Sequence, residues 1–139
     1  MQLTTLGQIA VTYVGIPYLY GGNNPLLGLD CSGFVQIPLK KVGILYAGKD
    51  YYSQAIYNEL IKRKYRSHEP DADCILFFGK NKIDHVAIAL DSKFMIEARG
   101  GDDSTKTFED AVSRIAMVEI TEIAHRKDLR ASIKVEYFK

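Results

Sequence analysis

Leu29-Asp30-Cys31-Ser32-Gly33-Phe34-Val35 is the stretch on which the reading of the whole chain turns. Asp30 is a strong helix N-cap, and Pro25 and Gly28 just upstream keep the preceding chain in a loop. A helix starting at Asp30 puts Cys31 in its first turn, where unpaired N–H groups carry partial positive charge. That position favours thiolate over thiol, and the thiolate is the nucleophile. Free cysteines more often fill core space. The stretch alone therefore leaves Cys31 as either a nucleophile or a small buried residue.

Upstream, Leu3, Leu6, Ala10, Tyr13 and Val14 recur at helical spacing and predict an amphipathic helix, ended by Gly15 and Pro17. The Gly-, Asn- and Pro-rich chain from there to Leu29 has the composition of a loop that lines a site. Downstream, the helix from Asp30 presents Phe34, Val35, Leu39 and Val42 for burial. Pro38 is expected to kink or break it while sparing the first turn. Residues 51–63 predict another helix, with the basic end Lys62-Arg63-Lys64, and 69–73 a turn. Strands are expected at Cys74–Phe78, 85–90 and 94–98, a short helix at 108–115, and further strands at 117–123 and 133–138. Helices first and an antiparallel sheet after is the order of an α+β domain, with N-terminal helices packed on a central sheet.

The 139 residues suit a single domain, 1–139, able to bury a core without disulfide or metal support. Apolar content of 47% and charge of 25% are ordinary for a soluble globular protein, and a net charge of +1 gives no basis for nucleic-acid binding. Cys74 sits in an apolar strand pattern, so both cysteines are expected to be free thiols. The N-terminus lacks the basic region of a signal peptide, which points to synthesis in the cytoplasm without export by the usual route. No stretch is long enough for membrane insertion. No Cys/His cluster has ligand spacing, so neither a metal nor another cofactor is expected.

A nucleophilic thiol needs a base, and the chain has three histidines. His68 and His125 lie in charged, polar segments and read as surface residues. His85 begins an otherwise apolar strand, which puts its imidazole at a strand end or cleft. A three-residue loop of Leu90, Asp91 and Ser92 would pair Ala89 with Lys93 and set His85 directly opposite Glu97. Glu97 is the one charged residue within 94–98; alone, it also fits a solvent-facing strand position. Beside an imidazole, a carboxylate fixes the tautomer and stabilises the imidazolium, the third role in a Cys-His-acid set.

These segments resemble the NlpC/P60 family of papain-like cysteine peptidases, most of which cut peptidoglycan stem peptides. The resemblance rests on Gly15-Ile16-Pro17-Tyr18 with Gly21-Gly22, on Leu29 to Val35, and on Leu76-Phe77-Phe78, His85-Val86-Ala87-Ile88 and Met95-Ile96-Glu97-Ala98, in family order. Glu97 to Gly101 and Arg126 to Leu129 look like the phage-borne branch. The resemblance implies Cys31 as nucleophile, His85 as general base, and Tyr18 beside the oxyanion site. It implies Asp30 and Ser32 as contacts for the free amine of the stem peptide. Glu97 falls where many members carry His, Asn or Gln, and a carboxylate there should raise the imidazolium pKa. A second departure is Pro38. A third is Asp71-Ala72-Asp73-Cys74, where the family usually has a Gly-Asp pair.

The implied activity is hydrolysis of a γ-D-glutamyl bond to a diamino acid through a Cys31 thioester. The implied partners are a stem peptide and phage-tail proteins, with delivery to the wall by a tail or by lysis. Two alternatives stand beside it: a non-catalytic structural phage-tail piece, and an acyltransferase or deamidase using the same thioester.

Overall fold

A computed structural model describes residues 2–138, so Met1 and Lys139 of the expected 1–139 unit lie outside it. The first helix, α1 (Thr5–Val11), is capped by the Thr4 hydroxyl, which accepts from the Gly7 N–H, and it buries Leu6 and Ala10. A short ribbon of β1 (Asn23–Asn24) and β2 (Gly28–Leu29) leads into α2 (Cys31–Lys41). The Asp30 carboxylate caps α2 by accepting from the Gly33 N–H at 2.6 Å. Contrary to the expected break, α2 runs through Pro38. The Phe34 carbonyl forgoes a helical partner there, but Phe34, Val35 and Leu39 are fully buried, and that packing holds the helix together.

After α3 (Ser53–Lys62) come β3 (Arg66–Ser67), β4 (Cys74–Phe78), β5 (His85–Ala89) and β6 (Phe94–Arg99). Then follow α4 (Phe108–Arg114), β7 (Met117–Glu122), a 3-10 turn (Ile123–His125) and β8 (Leu129–Lys134). The sheet is antiparallel in the order β3-β8-β4-β5-β6-β7. The edge pair Arg66–Ser67 carries no apolar alternation and was invisible as a strand in the sequence.

Alternation along the strands separates two clusters. Ile75, Phe77, Val86, Ile88, Ile96 and Val118 face α1, α2 and α3 and share a core with Leu6, Phe34, Leu39, Ile56 and Leu60. Cys74, Leu76, Phe78, Ala87, Ala89 and Met95 face the other way, with Ile123. With both faces covered, β4 reads as continuously apolar.

Two sequence expectations are corrected. The last strand is Leu129–Lys134 rather than 133–138, because β8 pairs with β4 from Lys134 opposite Cys74 to Leu129 opposite Phe78. Its first half, Leu129-Arg130-Ala131, is exposed or only partly buried and shows no apolar alternation that burial would impose, so periodicity gave no signal there. The β5–β6 loop is Asp91-Ser92-Lys93, one residue later than expected. The Asp91 carboxylate accepts from the Lys93 and Phe94 N–H groups at 2.8 and 2.7 Å, which fixes the turn. Ala89 therefore pairs with Met95, and the same register carried along the strands sets His85 level with Arg99 rather than Glu97. The shift is two residues, so His85 and Glu97 keep the same face, as diagonal neighbours.

Candidate active site

Cys31 is the first residue of α2, half-buried, with its sulfur 3.5 Å from the Ser53 hydroxyl at the start of α3. The helix end is brought close to the preceding loop: the Asp30 N–H donates to the Gly22 carbonyl at 3.0 Å. A Cβ at position 33 would lie 1.8 Å from the Gly22 oxygen, so only glycine admits this approach.

His85, first in β5, is 9% exposed and interacts electrostatically with Cys31, which lines the same cleft. Its Nε2 is 2.7 Å from Glu97 Oε1, which leaves Nδ1 for the thiol. Glu97 is 1% exposed, and its Oε2 takes the Thr121 hydroxyl at 2.6 Å and His125 Nε2 at 2.8 Å. Arg99 Nε stands 3.9 Å from the same oxygen, and its Nη1 donates to Glu119 at 3.0 Å. The Arg126 guanidinium lies over the Phe78 ring and pairs with Asp128 through two hydrogen bonds of 2.9 and 2.6 Å.

These contacts set the charges. Burial pushes the Cys31 thiol up, but the His85 hydrogen bond, the His85 charge and the Ser53 hydroxyl outweigh it, and the net shift is downward. Burial likewise opposes a charged His85, yet its bonds to Cys31 and Glu97 and their charges raise it to about 9. Glu97 is desolvated too, but His85, Thr121 and His125 bring it down to about 2. The three groups thus favour a thiolate, an imidazolium and a carboxylate in a row. A thiolate of this kind can attack an electrophilic carbon, and the imidazolium can return a proton.

The cleft that opens on this row has a volume of about 710 Å³ and is lined by Tyr18, Cys31, His85, Glu97, Arg99 and His125 among others. Tyr18 packs flat over Gly101, where a Cβ would come within 2.2 Å of the ring. Burial first, then the Cys31 and Asp30 charges, raise its phenol, which stays a hydrogen-bond donor. Asp30 and Ser32 are not among the lining side chains. The Ser32 hydroxyl bonds Asp30 at 3.3 Å, and the same Asp30 oxygen caps the helix.

Cys31, His85, Glu97 and Tyr18 all line this one cleft. His125 is exposed, as expected of a surface residue, but the turn after β7 also lays its ring against Glu97, a contact the sequence did not suggest. Ser53 and Thr121 were also missed. No local pattern in the sequence ties any of the three to Cys31 or Glu97. Among the described residues, no group of three or more His, Cys, Asp or Glu side chains is placed to hold a metal. Nor is any helix long and apolar enough to cross a membrane.

Residues 15–121 match the NlpC/P60 family model, and the chain belongs to that family. It is 32% identical over 100 residues to the peptidoglycan endopeptidase RipA of Mycobacterium tuberculosis, covering 63% of this chain and 20% of that protein. It is 35% identical over 88 residues to the bifunctional muramidase/DL-endopeptidase CwlT of Bacillus subtilis, covering 60% and 25%. With the gamma-DL-glutamyl hydrolase of Bacillus subtilis the identity is 27% over 103 residues, covering 73% and 24%. The chain thus spans a quarter or less of the length of these relatives. Among solved structures, the peptidoglycan hydrolase RipB of Mycobacterium tuberculosis superposes with a TM-score of 0.68 at 20% identity, over 97% of this chain and 64% of that one. The NlpC/p60 domain of the peptidoglycan hydrolase SagA gives 0.63 at 21%, over 94% and 97%. The fold is shared at this level.

Proposed function

We propose that the chain is a peptidoglycan hydrolase acting as a cysteine peptidase on stem-peptide amide bonds, with Cys31 as nucleophile. The observation that carries this reading is the buried row Cys31, His85, Glu97 opening onto one cleft. The names of the relatives, endopeptidases and a gamma-DL-glutamyl hydrolase, support the substrate class, and within it the proposed bond is the γ-D-glutamyl bond to a diamino acid that the family resemblance implies.

In the first half-reaction the Cys31 thiolate adds to the amide carbonyl carbon. The oxyanion is held by the Cys31 N–H at the helix start and the Tyr18 hydroxyl. The C–N bond breaks as the His85 imidazolium gives its proton to the leaving amine, leaving a thioester. In the second, water loses a proton to His85 and attacks the thioester. The carboxylate product leaves and the thiolate is restored. Glu97 holds the His85 ring and its charge throughout. Asp30 and Ser32 act here by building the helix turn, with contact to the free amine of the stem peptide as a second proposed role.

Mass spectrometry of muropeptide digests tests this: wild-type protein should release γ-D-glutamyl fragments, and Cys31→Ala none. Cleavage by Cys31→Ala at the wild-type rate would overturn the reading. An added amine that enters the product in place of water would move it toward acyl transfer.

A further inference from the structure

Glu97 carries two imidazoles, and the proposed reaction uses one of them. Oε1 serves His85 and Oε2 serves His125 and Thr121. His125 is fixed, not trailing in solvent. The turn that carries it buries Ile123 against the sheet, and the Ile123 N–H donates to the Lys93 carbonyl at 2.8 Å. The three partners differ in access to water: side-chain exposure is 1% for Glu97, 11% for His85 and 35% for His125. His125 is the member of the cluster that solvent protons reach first.

We propose that His125 is a positioning residue through which outside pH enters the site: its protonation draws the Glu97 charge toward itself and slackens the hold of Glu97 on His85. The neutral ring already makes a charge-assisted bond to the ionised carboxylate, and protonation adds the attraction of a full ion pair, so a cationic His125 competes for the shared carboxylate more strongly than the neutral ring does. Glu97 ties His125 to His85 and not to the sulfur, so the added positive charge acts first on the imidazolium. It therefore disfavours the imidazolium more than it favours the thiolate, and pushes the Cys31–His85 pair back toward its uncharged form. Histidine is the side chain suited to such a role between pH 5 and 8.

The charged and titratable groups around the cluster come from several elements. They are His85 and Asp84 at the start of β5, Glu97 and Arg99 on β6, and Glu119 on β7. Beyond the turn are Arg126 and its partner Asp128, and across the cleft Cys31, Tyr18, Asp102 and Asp103. Arg99 is already tied to Glu119 and Arg126 to Asp128, whereas His125 faces the carboxylate from the solvent side.

The inference rests on Cys31–His85 pairing, and its first test needs no substrate. The rate of Cys31 alkylation by iodoacetamide is followed from pH 4 to 10 in wild type and in His125→Gln, whose amide keeps a donor at the Nε2 position and cannot titrate. In wild type the acid limb should span more than one proton. In His125→Gln it should become a one-proton limb and move to lower pH. Superimposable limbs overturn the inference.

In the second test, muropeptide hydrolysis by His125→Gln should stay within about threefold of wild type at its plateau. His125→Ala, which leaves Glu97 short of a donor, should lose about tenfold in kcat with KM little changed. Equal losses in both variants with an unshifted pH profile would mark a merely structural role and overturn the inference. If the alkylation limbs differ as expected but wild type cleaves no muropeptide, the substrate assignment fails while the role of His125 stands.

Discussion

The molecule holds a cysteine, a histidine and a glutamate close together in two places, and the two differ in almost everything that matters for reactivity. At Cys31 the sulfur stands at a helix start, its histidine is buried in a strand, and the glutamate contributes a carboxylate. At Cys74 the sulfur is mid-strand in an apolar cluster and fully buried. His68 is exposed, 3.9 Å away, with its Nδ1 turned to the Glu69 backbone carbonyl at 2.6 Å. Glu69 offers that same main-chain oxygen to the sulfur at 3.5 Å, and its side chain plays no part in these contacts. Residue types are matched; backbone placement is not. Reactivity belongs to the arrangement of a helix end, a buried ring and a carboxylate, not to the list of side chains.

The strongest way to break this contrast is substitution of the two sulfurs. Cys31→Ala should drop muropeptide cleavage to background with the fold retained. Cys74→Ala should keep cleavage while lowering stability by about 1 kcal/mol, as lost packing in a buried strand does. A chemical version uses the native protein: iodoacetamide at pH 7 should label Cys31 about a hundredfold faster than Cys74, a difference that vanishes in denaturant.

Glu97→Gln sharpens the comparison by removing the carboxylate-to-imidazole contact, which has no counterpart among the contacts of Cys74 and His68. Its kcat/KM should fall about ten- to a hundredfold, the scale seen when a partner that orients a reactive group is lost.

The pH profile gives a finer reading. His85 is raised from 6.5 to about 9. Its pairing therefore adds stability fully below about 6.5 and loses it as pH rises through 9. The alkaline limb of kcat/KM should lie near 9 and move down in Glu97→Gln. Glu97, lowered from 4.5 to about 2, works in the opposite sense, stabilising above 4.5 and losing that contribution as pH falls toward 2. The smallest effect expected is at the helix start: Asp30→Ala should cost about 1 kcal/mol of stability, and Asp30→Asn little, by equilibrium denaturation.

How much of this the sequence disclosed follows from the range of each interaction. The Asp30 cap and the Cys31 position are local, adjacent in the chain, and could be read directly. The His85–Glu97 pairing was legible because strand alternation preserves faces. The expected opposition was off by two residues because the loop is set by Asp91 side-chain bonds, which no hydrophobic pattern encodes. Ser53 and His125 reach the site from 22 and 28 residues away in the chain, across packing between separate elements. Pro38 was misjudged for a related reason: local stereochemistry disfavoured the helix, and burial contributed by remote residues overrode it.

Glu97 and Thr121 follow the strand alternation of Met95, on the face away from the helices, and His85 at the end of its strand joins them there while meeting Cys31 at the start of α2, whereas Phe34, Leu39 and Ile88 knit the other side. Proton handling and folding strength are thereby assigned to separate layers. A lineage can exchange the acid, its hydroxyl neighbour or the outlying imidazole for other polar groups without reopening the seam that keeps the helices in place. Tuning the reaction and keeping the protein folded become nearly independent problems.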